Sequence, residues 1–172
     1  MNASVAMFHD VATTLTLDAL LDLDHAALTA LYEGGALPRL DALRGDLRGR
    51  MLAVPALPAV VTALPCAWAR TASFPWRGKS FMPETTAEGE GVNRVILDRW
   101  RLFTFRTRVA PSRHDGREVI ELDYDRPANP FFIRAIEDEI REVAPGLYLG
   151  QAWLRVGAKK TFVLWFGLAD AR

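Results

Sequence analysis

The residues best equipped for chemistry cluster around one reversal of the chain. Arg106 and Arg108 precede the segment Ala110-Pro111-Ser112-Arg113-His114-Asp115-Gly116, and Glu121 and Asp123 follow it. Asp-Gly supplies the backbone angles of a tight hairpin. With the turn centred near Asp115, positions summing to about 229 face each other, so Arg108 opposes Glu121 and Arg106 opposes Asp123. Positions two apart share a face of a strand. These four charges therefore look one way, and Phe103, Phe105, Ile120, Leu122 and Tyr124 look the other. Two chemistries fit. Cross-strand ion pairs on a solvated wall would contribute under about 1 kcal/mol each, and this is the ordinary outcome for such a face. Alternatively Arg106 and Arg108, joined by Arg94, line a lumen and take a carboxylate or phosphate.

A second group is Phe74-Pro75-Trp76-Arg77-Gly78-Lys79-Ser80-Phe81, followed by Asn93. A Trp at a barrel entrance can lie over the core with its indole N–H on a carbonyl, and a glycine beside it permits close strand approach. Lys79 and Asn93 are polar groups among aromatic ones, either rim residues or ligand anchors. The proton-handling candidates are Tyr124, Tyr148 and Asp123. Gln151 and Trp153 complete the binding set Trp76, Lys79, Asn93, Arg106, Asp123, Tyr124, Tyr148, Gln151 and Trp153.

Other chemistry is weakly represented. His9, His25 and His114 are scattered, whereas a metal site needs three or four converging ligands, so no metal is expected. His114 in a turn is read as solvent-exposed. Cys66 in an apolar stretch would be a protonated, inert thiol. Asp123 and Asp125 share a face as solvated acids do. Glu137, Asp138, Glu139 and Glu142 read as the solvated side of a helix. No Gly-x-Ser-x-Gly, phosphate-loop or dinucleotide-binding motif is present, and no cofactor is expected.

The elements that must carry these groups follow from length and pattern. The chain of 172 residues fits one domain, with residues 1–45 a helical arm and 46–172 a barrel. Half of it is apolar, too much for disorder. With 21 basic and 21 acidic side chains, it lacks the basic field that nucleic acid or an anionic membrane requires. A single cysteine rules out an intramolecular disulfide framework. The N-terminus lacks a positive region before its apolar residues, so no secretory signal is read and a cytoplasmic location is expected. Met51 to Ala69 is uncharged over 19 residues, close to a membrane span, but Pro55, Pro58 and Pro65 break it, and no integral span is expected.

In the arm, leucines from Leu15 to Leu23 recur at helical spacing, with Thr16 as a cap. Asp24 caps a second helix that Gly34-Gly35 should end through a left-handed backbone, and Leu40, Leu43 and Leu47 suggest a further short turn. Strands follow over Met51–Val54, Gly78–Met82, Val92–Leu97, Leu102–Val109 and Val119–Tyr124. Leu147–Val156 and Thr161–Leu168 form a second hairpin across Gly157, in which Gly150 should oppose Gly167 and Ala152 oppose Trp165. Between the hairpins, Asn129 as cap, Pro130 as first residue and the stripe Phe132, Ile133, Ile136, Ile140, Val143 predict a helix. The fold class is α+β: an antiparallel barrel or strongly curled sheet of about seven or eight strands, the helical arm, and one helix between the two main hairpins.

The order Trp76-x-Gly78-Lys79, Gly91-x-Asn93, Asp123-Tyr124-Asp125 and Pro145-Gly-x-Tyr-x-Gly150 resembles an uncharacterised group of bacterial proteins, similar to GXWXG-type and lipocalin-like (calycin-like) small barrels. The likeness covers residues 48–168 and implies a closed antiparallel barrel with an internal apolar pocket, and no activity. It departs from the lipocalin pattern in that Trp76 precedes Gly78 and follows a long helical region. The expected function is binding of a small lipophilic molecule in the barrel, without catalysis. A cofactor-independent isomerase or cyclase on an apolar substrate and a protein–protein module are the alternatives, and assembly as a homodimer stays open.

Overall fold

The computed structural model describes residues 15–52, 76–95 and 100–170. His9, Cys66 and nearly all of the uncharged stretch 51–69 lie outside the described residues. Eight antiparallel strands run in chain order around a closed barrel, each paired with the next and the first with the last. They are β1 (Gly45–Met51), β2 (Trp76–Pro83), β3 (Glu88–Val95), β4 (Trp100–Pro111), β5 (Glu118–Asp123), β6 (Ile136–Ala144), β7 (Leu147–Val156) and β8 (Lys159–Asp170). Closure removes the unpaired edges that an open sheet would present. Ahead of β1 lie a 3-10 turn (Ala19–Asp22), the helix α1 (His25–Gly34) and a second 3-10 turn (Leu40–Leu43).

Two apolar cores result. The inner one fills the barrel with Phe81, Phe105, Ile120, Leu122, Ile140, Tyr148, Phe166 and Leu168 among others. The outer one lies between the arm and the barrel wall, where Leu17, Leu20, Leu28 and Tyr32 cover Val119, Leu149 and Trp165. Gly167 faces this second core, and a Cβ there would stand 2.6 Å from Leu17 Cδ1. The arm is thus part of the fold. Its caps are as the sequence implies: Thr16 Oγ1 accepts from the Ala19 N–H and Asp24 Oδ1 from the Ala27 N–H. The end of α1 is different. Neither Gly34 nor Gly35 has a positive φ. Gly35 is needed for space, because a Cβ would stand 2.9 Å from the Arg141 Cβ.

The first hairpin has the expected register, with Arg106 opposite Asp123 and Arg108 opposite Glu121, and Gly116 supplies the positive φ of +76°. The second closes more tightly than expected, with Val156 opposite Lys159, which shifts the pairing by two residues next to the turn. A bulge on β8 between Ala152 and Trp153 takes one of these back and leaves Gly150 opposite Phe166 and Ala152 opposite Leu164. Since successive side chains alternate, this step turns Phe166 and Leu164 into the barrel and Trp165 and Gly167 out of it.

The largest departure from the sequence reading is the helix expected between the hairpins. Ile136–Ala144 is the strand β6. Asn129 and Pro130 do begin a turn, in which Pro130 O accepts from the N–H groups of Ile133 and Arg134, but it ends there. Ile136 and Ile140 are four apart, a spacing that suits one face of a helix and one face of a strand equally. Asp138, the inward residue between them, hides the alternation.

Candidate functional site

Three local irregularities assemble a polar cluster inside the barrel. In β2 a bulge lies between Trp76 and Gly78, so Trp76 and Lys79, three apart, both reach the interior. Gly78 makes the bulge feasible: its φ is +133°, and a Cβ there would stand 2.0 Å from Leu47 O. A second bulge lies where β3 meets β4, between Val92 and Asn93. It leaves Phe103 unpaired with a φ of 62°, the one non-glycine positive value among the described residues, a conformation uncommon for an aromatic residue. The Asn93 Nδ2 then donates to the Phe103 carbonyl at 3.2 Å. The third irregularity is Asp138 itself, an acid at an inward position of β6.

These groups form one network. Lys79 Nζ donates to Asn93 Oδ1 at 2.9 Å, to the Tyr124 hydroxyl at 2.5 Å and to Asp138 Oδ2 at 2.9 Å. Tyr124 donates to Asp138 Oδ2 at 3.0 Å and accepts from Asn93 Nδ2 at 3.0 Å. Trp76 Nε1 donates to Asn93 Oδ1 at 3.0 Å. Lys79 is 3% exposed and Asp138 4%, so the ion pair is shielded from water. Four rings surround the ammonium, those of Trp76, Phe105, Tyr124 and Phe166, at 5.0 to 5.4 Å from their centroids, a distance at which the ring faces attract a cation. Burial pulls the Lys79 ammonium below the usual lysine range, opposed by the Asp138 charge. Burial, reinforced by that same charge, holds the Tyr124 phenol well above its ordinary value.

Beside the network lies a cavity of about 160 Å³. Its apolar wall comes from Met51, Val95, Phe103, Ile136, Leu164 and Phe166, and Trp76, Lys79, Asn93, Tyr124 and Asp138 supply the polar part. Phe132 and Ile133, from the turn that follows Pro130, also line it. Ala152, opposite Leu164, leaves the space on β7.

Of the nine residues singled out in the sequence, Trp76, Lys79, Asn93 and Tyr124 meet in this cavity. The other five do not. Arg106 and Asp123 border a separate charged depression with Glu84, Glu88, Glu90 and Arg108, and Arg106 and Arg108 are both exposed, so they line no lumen. Arg108 instead pairs with Glu121 at 2.5 Å, and Arg94 with Asp46 at 3.6 Å. Tyr148 belongs to the inner core without lining the cavity, and burial pushes its phenol up to about 12. Gln151 sits opposite Trp165 and Glu139, on the outward face. Trp153 Nε1 donates to Glu139 Oε1 at 2.6 Å, also on that face. His114 Nε2 donates to Glu33 Oε1 at 2.8 Å and the ring packs edge-on to Tyr32, which ties the hairpin turn to the arm.

The acids read as one solvated helix face divide between the two sides of β6. Asp138 is the residue that sequence reasoning missed. Its signal was present: it lies two from Ile136 and two from Ile140. Glu139 is buried on the outer side, where it accepts from the Arg113 N–H and from Trp153. Glu137 pairs with Arg113 and Lys160. Among the described residues no group of three His, Cys, Asp or Glu converges as a metal site would require, and no helix is long and apolar enough to cross a membrane.

No family model and no curated protein matches the chain. The fold is similar to that of a crystal structure of a protein from Thermomonospora curvata, with a TM-score of 0.53 over 87% of this chain and 89% of that one, at 18% identity. At that identity the likeness concerns the architecture alone: a closed eight-stranded antiparallel barrel with a short helical part is the fold of this chain.

Proposed function

We propose that the barrel binds a small lipophilic molecule in its internal cavity and performs no chemistry on it. The observation that carries this reading is the cavity's composition: an apolar wall meeting one compact polar cluster, the arrangement by which pockets combine affinity with orientation. A void of about 160 Å³ is comparable to those that accept a single benzene-sized molecule in a protein interior, so the occupant is a compact ring or short chain. A long acyl chain is too large. The isomerase or cyclase alternative requires a mobile proton. Tyr124 is the one of its three proton-handling candidates beside the cavity, and its proton is held on Asp138. Such a group suits a fixed network better than a shuttle.

Toluene tests the reading. A ligand that binds only the folded state raises stability with its concentration, so toluene is expected to raise the melting temperature of the full chain progressively, with the logarithm of its concentration once it exceeds the dissociation constant. Ala152→Phe, which fills the cavity from β7, is expected to remove the response. An unchanged melting temperature at saturating toluene, or an equal response in the filled variant, overturns the proposal.

A further inference from the structure

The hydrogen-bond capacities of the cluster identify what the occupant must carry. Lys79 has three N–H groups and three acceptors, Asn93 Oδ1, the Tyr124 hydroxyl and Asp138 Oδ2. Both amide protons of Asn93 are placed, on Phe103 O and on Tyr124. The Tyr124 proton goes to Asp138 Oδ2 and the Trp76 indole proton to Asn93 Oδ1. Every donor of the cluster is therefore committed. One acceptor is left over: Asp138 Oδ1 is buried and has no partner, on a side chain that lines the cavity. A buried carboxylate oxygen without a hydrogen bond is costly, and a bound group that supplies a proton removes that cost.

We propose that the cavity selects a small apolar molecule bearing a neutral hydroxyl, such as a cyclic alcohol or a phenol, whose O–H donates to Asp138 Oδ1. The inference rests on the binding function proposed above and adds the chemical class of the ligand. It excludes carboxylates and phosphates, for which the cluster has no free donor and Asp138 an opposing charge. A ketone of the same shape can only accept, and so gains nothing from Asp138. An ammonium would meet the like charge of Lys79.

The test is a series on one six-membered ring: methylcyclohexane, cyclohexanone and cyclohexanol, matched in size, and the larger cyclohexanecarboxylate, titrated into the full chain and followed by calorimetry. Without a specific acceptor, the alcohol should be the poorest neutral ligand of the series, because it is the costliest to remove from water. With Asp138 Oδ1 as acceptor, cyclohexanol is expected to bind about tenfold or more tighter than cyclohexanone, as befits a hydrogen bond to a charged group, and the carboxylate is not expected to bind.

Asp138→Asn sharpens the test. Its amide oxygen can keep Lys79 and Tyr124 while its NH₂ takes the place of Oδ1, so the preference should invert toward cyclohexanone. If the hydrocarbon binds and the alcohol is no better than the ketone, the proposal falls while the cavity function stands. If the ketone is preferred by the unaltered chain, the cluster presents a donor and the proposal falls. If no member binds, both readings fall. The unaltered chain decides these outcomes even where the variant does not fold.

Discussion

Lys79 and Asp138 hold each other in an interior that would otherwise reject both. Each charge has lost most of its water: Lys79 is compensated by Asp138, the Tyr124 hydroxyl, the Asn93 amide oxygen and the surrounding ring faces, and Asp138 by Lys79 and the Tyr124 hydroxyl. Removing one partner leaves the other buried and unpaired, which typically costs about 3–5 kcal/mol, whereas replacing both by apolar groups is often close to neutral. Lys79→Met is therefore expected to lower stability by roughly that amount. Lys79→Met combined with Asp138→Leu should recover most of the loss. Urea denaturation of the two variants beside the unaltered chain checks this, and a single variant as stable as the parent would show that the pair is not what the interior depends on. The sequence exposes half of this relation. Lys79 and Asn93 draw notice because they lie among aromatic residues, and Tyr124 because its hairpin register turns it toward the core. Asp138 does not, because its neighbours Glu137, Glu139 and Glu142 make it look like one of several solvated acids. The separation of Asp138 from them depends on strand alternation, and nothing in a single residue type conveys it.

At the level of elements, what could be read depended on whether the chain signal was local. The hairpin through Asp115-Gly116 carries its own turn chemistry, and its register is as expected. The hairpin through Gly157 carries a similar signal, yet its turn closes between Val156 and Lys159, tighter than expected, and the bulge on β8 restores only part of the shift beyond Ala152. A bulge answers to packing across the barrel: Phe166 turns inward into the space that Gly150 leaves, where a Cβ would come within 2.2 Å of the ring. β6 was hidden by a spacing common to helix and strand, and it is a strand because the barrel needs a partner for both β5 and β7. The β2 bulge has its own determinant in Gly78. Any side chain there is strained by the φ of +133° and meets the Leu47 carbonyl, whereas Gly116 has a φ of +76° and open space around it. Gly116→Ala should cost about 1–2 kcal/mol, the penalty of a left-handed backbone. Gly78→Ala should cost more by a further 1–3 kcal/mol or so of overpacking, and should also disturb Trp76 and Lys79, which the bulge aims inward. Equal losses for the two variants in thermal denaturation would contradict the role given to Gly78.

Across the whole molecule, the three tyrosines of the chain report on three regions at once: Tyr32 on the seal between arm and barrel, Tyr124 on the polar cluster, and Tyr148 on the inner core away from the cavity. All three phenols are raised above their ordinary value, chiefly by burial. A group whose folded value is raised adds stability that is complete below the unfolded value, about pH 10 for tyrosine, and that is lost as the pH climbs through the folded value. For Tyr148, raised to about 12, the stability at stake is on the order of 3 kcal/mol. Lys79 works in the opposite sense, because its folded value is lowered, so raising the pH toward the unfolded lysine value relieves its burial. Lys160 is lowered as well, chiefly by burial, so two such groups stand against three phenols. The chain is therefore expected to stay folded with almost no phenolate near pH 10, and then to lose structure and develop phenolate absorbance together as the pH rises further. Near-ultraviolet circular dichroism and phenolate absorbance, followed on one alkaline titration, check this. Phenolate that appears around pH 10 while the circular dichroism is intact would mean that at least one tyrosine meets water in the folded chain. Substituting the tyrosines by phenylalanine one at a time would then show whether the arm, the cluster or the inner core is the open one.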